Sequence, residues 1–197
     1  MISVYDIKPK FQQLLAPVLR VFRKAGVSPN MITWWAILLS CGTGVVLWIH
    51  PYGLSFLLLP LVLLLRMALN ALDGMMAKTY NLQSKSGELL NELGDVVSDF
   101  CLFFPLLLLF NPNLYLLLAF LFLSLINEFV GVLGKVISGE RRYDGPMGKS
   151  DRALLIGVVS IVFYVKPSTL DYVNYVFCVA LVLLTISTTI RIFKTLK

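Results

Sequence analysis

Between Asn70 and Asp99 the sequence NALDGMMAKTYNLQSKSGELLNELGDVVSD sets polar side chains into otherwise hydrocarbon-like surroundings. Asn70, Asp73 and Ala77 recur at intervals of three and four residues, so a helix carries them on one face. Asn91, Asp95 and Asp99 repeat the pattern one short loop later. Two such helices side by side would pool their oxygen ligands. Carboxylates in or beside apolar segments are costly unless they pair, reach water or bind a cation, so this cluster marks a functional site.

The elements that must hold these residues are membrane spans. Of 197 residues 58% are hydrophobic and only 14% charged, and the mean hydropathy is +0.82, which describes an integral membrane protein rather than a soluble domain. The length accommodates about six spans of roughly 20 residues each and leaves no room for a separate soluble domain. We expect spans over about residues 31–49, 54–72, 88–110, 114–137, 153–165 and 173–193. Trp34, Trp35 and Trp48 serve as aromatic anchors near the ends of the first. Ahead of them, residues from about 4 to 25 read as an amphipathic surface helix, with Ile7, Phe11, Leu14, Leu15, Val18, Leu19 and Phe22 on one side. Pro9 and Pro17 weigh against a straight helix there. The expected organisation is thus a juxtamembrane helix over 1–26 and a six-helix transmembrane catalytic domain over 27–197. The opening MISVYDIKPKF lacks a short apolar core before a small-residue cleavage site, so no removable signal is expected.

The net charge of +6 is spent on topology rather than on nucleic acid, because no aromatic-interleaved basic surface accompanies it. Basic residues gather in the N-terminal segment, in the loop after the second span, over Arg141–Arg152 and at the C-terminal end, whereas the opposite side holds only Lys166. The positive-inside rule then puts both termini and the polar cluster on the cytoplasmic side. Cys41, Cys101 and Cys178 fall in apolar segments and imply no disulfide framework. His50, the one histidine, is an interfacial residue on the far side.

Written out, the central stretch is Asp73-Gly74-x2-Ala77-Lys78-x8-Gly87-x3-Asn91-x3-Asp95, with Asn70 three residues ahead of Asp73. It closely resembles the signature of the CDP-alcohol phosphotransferase family (CDP-alcohol phosphatidyltransferases), D-x2-D-G-x2-A-R-x8-G-x3-D-x3-D, in every spacing. Pro29-Asn30-x-Ile32-Thr33 resembles the family's P-N-x-I-T segment, and the likeness covers nearly the whole chain. The resemblance implies transfer of a phosphate-linked alcohol from a CDP-linked donor such as CDP-diacylglycerol to a hydroxyl of a small alcohol or alcohol-phosphate acceptor, with release of CMP, in phospholipid synthesis. It further implies Mg²⁺ or Mn²⁺, a homodimer and, in the bacterial branch, the inner membrane. Hard cations of this kind take oxygen ligands and keep places for substrate phosphates.

Carried over by position, Asp73 is a metal ligand at the donor site and Asp95 the general base. Asn30, Thr33, Asp73, Gly74, Ala77, Lys78 and Gly87 line the nucleotide site. The pattern is broken at three places: Asn70 and Asn91 stand for aspartates and Lys78 for arginine. Asparagine oxygens ligate a hard cation but bring no charge. The expected metal set is therefore Asn70, Asp73, Asn91 and Asp95, with Asp99 one helical turn beyond as a deeper alternative. Arg66, seven residues before Asp73, is expected to pair with Asp99 or Glu128. Lys149-Ser150-Asp151-Arg152 does not meet P-loop spacing. Ser150 reads instead as the N-cap of the fifth span, and Lys149, Ser150 and Arg152 as an anion site for the acceptor. A catalytically impaired member that only binds CDP-lipid, and a small transporter, are the alternatives; the internal repeat expected of the latter is not visible.

Overall fold

The computed structural model describes residues 8–197, and all regular structure among them is helical. The start of the surface helix read over 4–25, with Ile7, lies outside the described residues. The helices are α1 (Lys8–Lys24), α2 (Pro29–Ile49), α3 (Ser55–Thr79), α4 (Lys85–Phe103), α5 (Leu106–Leu109), α6 (Leu114–Ser138), α7 (Lys149–Val165) and α8 (Val173–Thr195), with a 3₁₀ turn over Pro167–Tyr172.

Local chemistry sets the boundaries. Ser28 caps α2 by accepting from the Met31 amide, with Pro29 supplying a preset φ at the first turn. Ser84 caps α4 through the Gly87 amide at 3.0 Å, and Asn113 caps α6 through the amides of Tyr115 and Leu116. The expected span over 88–110 is not continuous. It breaks at Phe104 and Pro105, because proline offers no amide to the helix and disfavours helical backbone just before it, and α5 resumes as one short turn.

Among the described residues four elements are long and apolar enough to cross a membrane: α2, α3, α6, and α8 together with its 3₁₀ turn. The expectation of six is therefore met in four. α4 fails on charge, carrying Lys85, Glu88, Glu92, Asp95 and Asp99, and α7 has 17 residues and opens on Lys149, Asp151 and Arg152. Both concessions are made where the polar residues of the site are supplied.

α2 packs against α3 and α4, α3 against α7, and α6 against α8. One end of the bundle is filled by an apolar core in which Phe103, Phe110, Phe120 and Phe177 are almost wholly buried. Their rings meet edge to face: Phe120 and Phe177 lie 5.3 Å apart, and Phe110 and Phe163 5.1 Å. The other end holds the charges. There α1 lies against α3 through Leu19, which packs with Ile32, Leu72 and Met76, while Leu14, Val18 and Val21 stay exposed. The apolar face of α1 is thus divided between the bundle and its surroundings. Arg23 stacks over the Tyr80 ring at 5.0 Å, joining the end of α1 to the turn after α3.

Candidate active site

A cavity of about 530 Å³ opens at the polar end between α2, α3 and α4. Asn30 and Thr33 reach it from the first turns of α2, Asp73, Gly74, Ala77 and Lys78 from the last turns of α3, and Gly87 and Asn91 from the first turns of α4. All seven residues read from the sequence as a nucleotide site therefore share one cavity. Two glycines explain why the spacing is strict. A Cβ on Gly87 would lie 2.7 Å from Oδ1 of Asn30 and 3.0 Å from Oγ of Ser84, so a larger residue there would displace the Asn30 side chain and disturb the Ser84 cap. A Cβ on Gly74 would meet nothing within 4 Å, so that position leaves open space inside the cavity.

Asp73 is 3% exposed. Its Oδ2 accepts from the Thr33 hydroxyl at 2.9 Å, while Oδ1 is buried without a hydrogen-bond partner among the described residues. An unpaired carboxylate oxygen in that setting is expensive unless a cation or donor reaches it. The cavity is where such a group would come from.

Beneath the cavity the polar residues form a different structure. Asn70 donates its amide to Oδ1 of Asp95 at 3.0 Å, Lys149 bonds to the same oxygen, and Arg66 lies 3.6 Å from it. Arg66, 2% exposed, also pairs with Asp99 and donates to the Asp95 carbonyl at 3.0 Å. Arg152, with no exposed surface, bridges Asp99 at 2.7 Å and Glu128 at 3.1 Å. Arg141 continues from Glu128 at 3.2 Å to Glu92. Lys149, Asp95, Arg66, Asp99, Arg152, Glu128, Arg141 and Glu92 thus make one chain of alternating sign linking α3, α4, α6, α7 and the loop before α7. Buried charges persist only when paired and hydrogen-bonded, and here nearly every member has two partners.

This arrangement corrects several expectations. Asp99 offers no oxygen for a cation, since guanidinium groups hold both, and no group of three or more acidic, histidine or cysteine side chains suited to a metal occurs among the described residues. Arg66 does pair with Asp99, one of its two expected partners, and adds Asp95 where Glu128 was the alternative. Ser150 is not the N-cap of α7: Gly148 is, and the Asp151 carboxylate reaches back to its amide at 3.1 Å. Arg152 cannot present itself to an acceptor anion, being fully enclosed by carboxylates and the Met147 carbonyl. Two site residues escaped the sequence reading. Lys135 lines the cavity and pairs with Glu88; its place seven residues after Glu128, two turns along the same face of α6, was the available signal. Arg191, counted as a topological charge, is 1% exposed and donates to the Asn127 carbonyl at 2.6 Å and the Asp144 carbonyl at 3.1 Å.

The fold recurs in solved proteins. A phosphatidylinositol phosphate synthase (PgsA1) of Mycobacterium tuberculosis, in complex with manganese and citrate, superposes with a TM-score of 0.76 at 18% identity, covering 92% of this chain and 88% of that one. The same synthase with CDP-DAG bound gives 0.76 at 18% identity over 93% and 94%. In sequence the chain is 44% identical to the inner membrane protein YnbA of Escherichia coli K12, across 92% of this chain and 90% of that protein. The family model for CDP-alcohol phosphatidyltransferase matches residues 26–190. Its span takes in the α2 entry, the cavity and the whole alternating ion chain, and this integral membrane protein belongs to the CDP-alcohol phosphatidyltransferase family.

Proposed function

We propose that the protein transfers a phosphatidyl group from a CDP-diacylglycerol-like donor to the hydroxyl of a small alcohol or alcohol phosphate, releasing CMP. The observation that carries this is the convergence of Asn30, Thr33, Asp73, Gly74, Ala77, Lys78 and Gly87 on one cavity. The CDP-DAG bound to the mycobacterial synthase of the same fold supports it. Gly74 leaves room for the nucleotide to lie against α3, and Lys78 meets a phosphate as a point charge. Asp73, through its unpartnered oxygen, and Asn91 would hold Mg²⁺ or Mn²⁺, which when bound neutralises the pyrophosphate.

Asp95 is the general base. The contacts to its carboxylate fall on Oδ1, which fixes its orientation and leaves Oδ2 to accept the proton of the acceptor hydroxyl. The acceptor oxygen bonds to the lipid-bearing phosphorus, the bond from that phosphorus to the CMP oxygen breaks, and CMP departs with the electron pair. Lys149 and Ser150 flank the approach of an anionic acceptor. In the lipid bilayer α4 with α5, and α7, complete six spans behind the surface helix. The organisation is 1–26 and 27–197, in a homodimer in a bacterial inner membrane with site and termini cytoplasmic.

The test is CMP release from CDP-diacylglycerol by protein in lipid with Mg²⁺ or Mn²⁺, across glycerol phosphate, inositol phosphate, inositol and serine. Release with one acceptor, lost in Asp95→Asn, is expected. A second reading, a CDP-lipid-binding protein without turnover, draws on the capping of Asp95 by Asn70 and Lys149. It prevails if CDP-lipid binds but neither wild type nor Asn70→Asp/Asn91→Asp releases CMP with any acceptor.

A further inference from the structure

Charge around the cavity differs sharply from what the signature spacing would supply. Four aspartates at positions 70, 73, 91 and 95 would present four negative charges, enough to neutralise two divalent cations. Here asparagine stands at two of these positions, and the Asp95 carboxylate is already compensated by Lys149, with Arg66 behind it. Asp95 belongs to an ion chain whose positive and negative members match in number. Asp73 is left as the acid of these positions with no cationic partner, and its buried Oδ1 is the oxygen with no hydrogen bond among the described residues. Two divalent ions at this place would meet one uncompensated carboxylate. Their mutual repulsion would then be opposed by the donor pyrophosphate alone.

We infer that the site holds a single divalent cation, at Asp73 and Asn91, and that the Lys149 ammonium on Asp95 permanently occupies the place a second cation would take. The inference rests on the proposed function and specifies how its site is charged. A fixed ammonium supplies one positive charge without exchanging with solvent. A carboxylate at position 70 would crowd Oδ1 of Asp95 with like charge, whereas the Asn70 amide donates to it. The two asparagines and Lys149 therefore form one electrostatic arrangement around Asp95 and Asp73.

The experiment counts metal. Full-length protein in lipid nanodiscs with CDP-diacylglycerol is equilibrated with Mn²⁺ and desalted, then read for Mn per chain and by electron paramagnetic resonance. One Mn²⁺ with an isolated six-line spectrum is expected in the wild type and none in Asp73→Ala. In Asn70→Asp/Asn91→Asp/Lys149→Met, two ions broadened by mutual coupling are expected. Two coupled ions in the wild type, none at all, or retention in Asp73→Ala would overturn the inference; should the triple variant not fold, the wild-type count and spectrum decide alone. A count of one without CMP release for any acceptor removes the proposed function and leaves the single-ion site standing. CMP release with two coupled ions does the reverse.

Discussion

The Asn70 amide donates to Oδ1 of Asp95 across 3.0 Å, joining the last turns of α3 to the middle of α4. In aspartate form the same side chain would present like charge to that oxygen. The bond therefore sets which face of the Asp95 carboxylate is free, and the proposed base acts through Oδ2.

Asp95→Asn keeps the size and the contact to Lys149 but cannot take a proton. CMP release should fall by about 10²- to 10⁴-fold, the usual contribution of a general base, while CDP-lipid binding by equilibrium dialysis stays within a few-fold of wild type. Equal loss of binding would show that Asp95 serves the donor rather than the reaction.

Gly74→Ala should separate stability from function. Replacing a helical glycine adds about 0.5–1 kcal/mol of stability, and the new methyl has open space around it. That space is the proposed nucleotide bed. The unfolding midpoint in detergent should rise while CDP-lipid affinity falls.

Gly87→Ala drives a methyl toward Oδ1 of Asn30 and Oγ of Ser84, so the Asn30 side chain must turn away and the cap of α4 shift. Forcing a side chain off its rotamer costs about 0.5–1.5 kcal/mol. Asn30→Gly in the same chain should restore most of it, a coupling that a double-mutant cycle on thermal unfolding would register.

Arg152→Met leaves Asp99 and Glu128 without a shared partner in a buried setting. Removing one side of such a pair costs about 3–5 kcal/mol. The variant should unfold well below wild type, and CMP release measured on the folded fraction should fall far less than in Asp95→Asn.

The cavity was legible in the sequence because the motif spacing that resembles the family signature named residues on α2, α3 and α4, and intervals of three and four keep those residues on shared helix faces. The ion chain was not legible. Arg152 and Glu128 are joined only by the packing of α6 and α7 around α4, and a charge near a span end looks topological whether it faces water or a carboxylate. Arg191 is the plainest case, buried where the charge count placed a flanking cation. The break at Pro105 interrupts a long apolar run that reads as one continuous span, and the cap of α7 depends on a reach-back from Asp151 that competes with Ser150 one residue earlier.

The ion chain from Lys149 to Glu92 also bears on how such a protein changes over generations. Most of its members hold two partners, so a lone substitution leaves the neighbours half-compensated in a buried setting, whereas loss of a matched pair keeps the charges balanced. Descendants that keep Asp95 should therefore differ at Arg152 and Glu128 together or not at all.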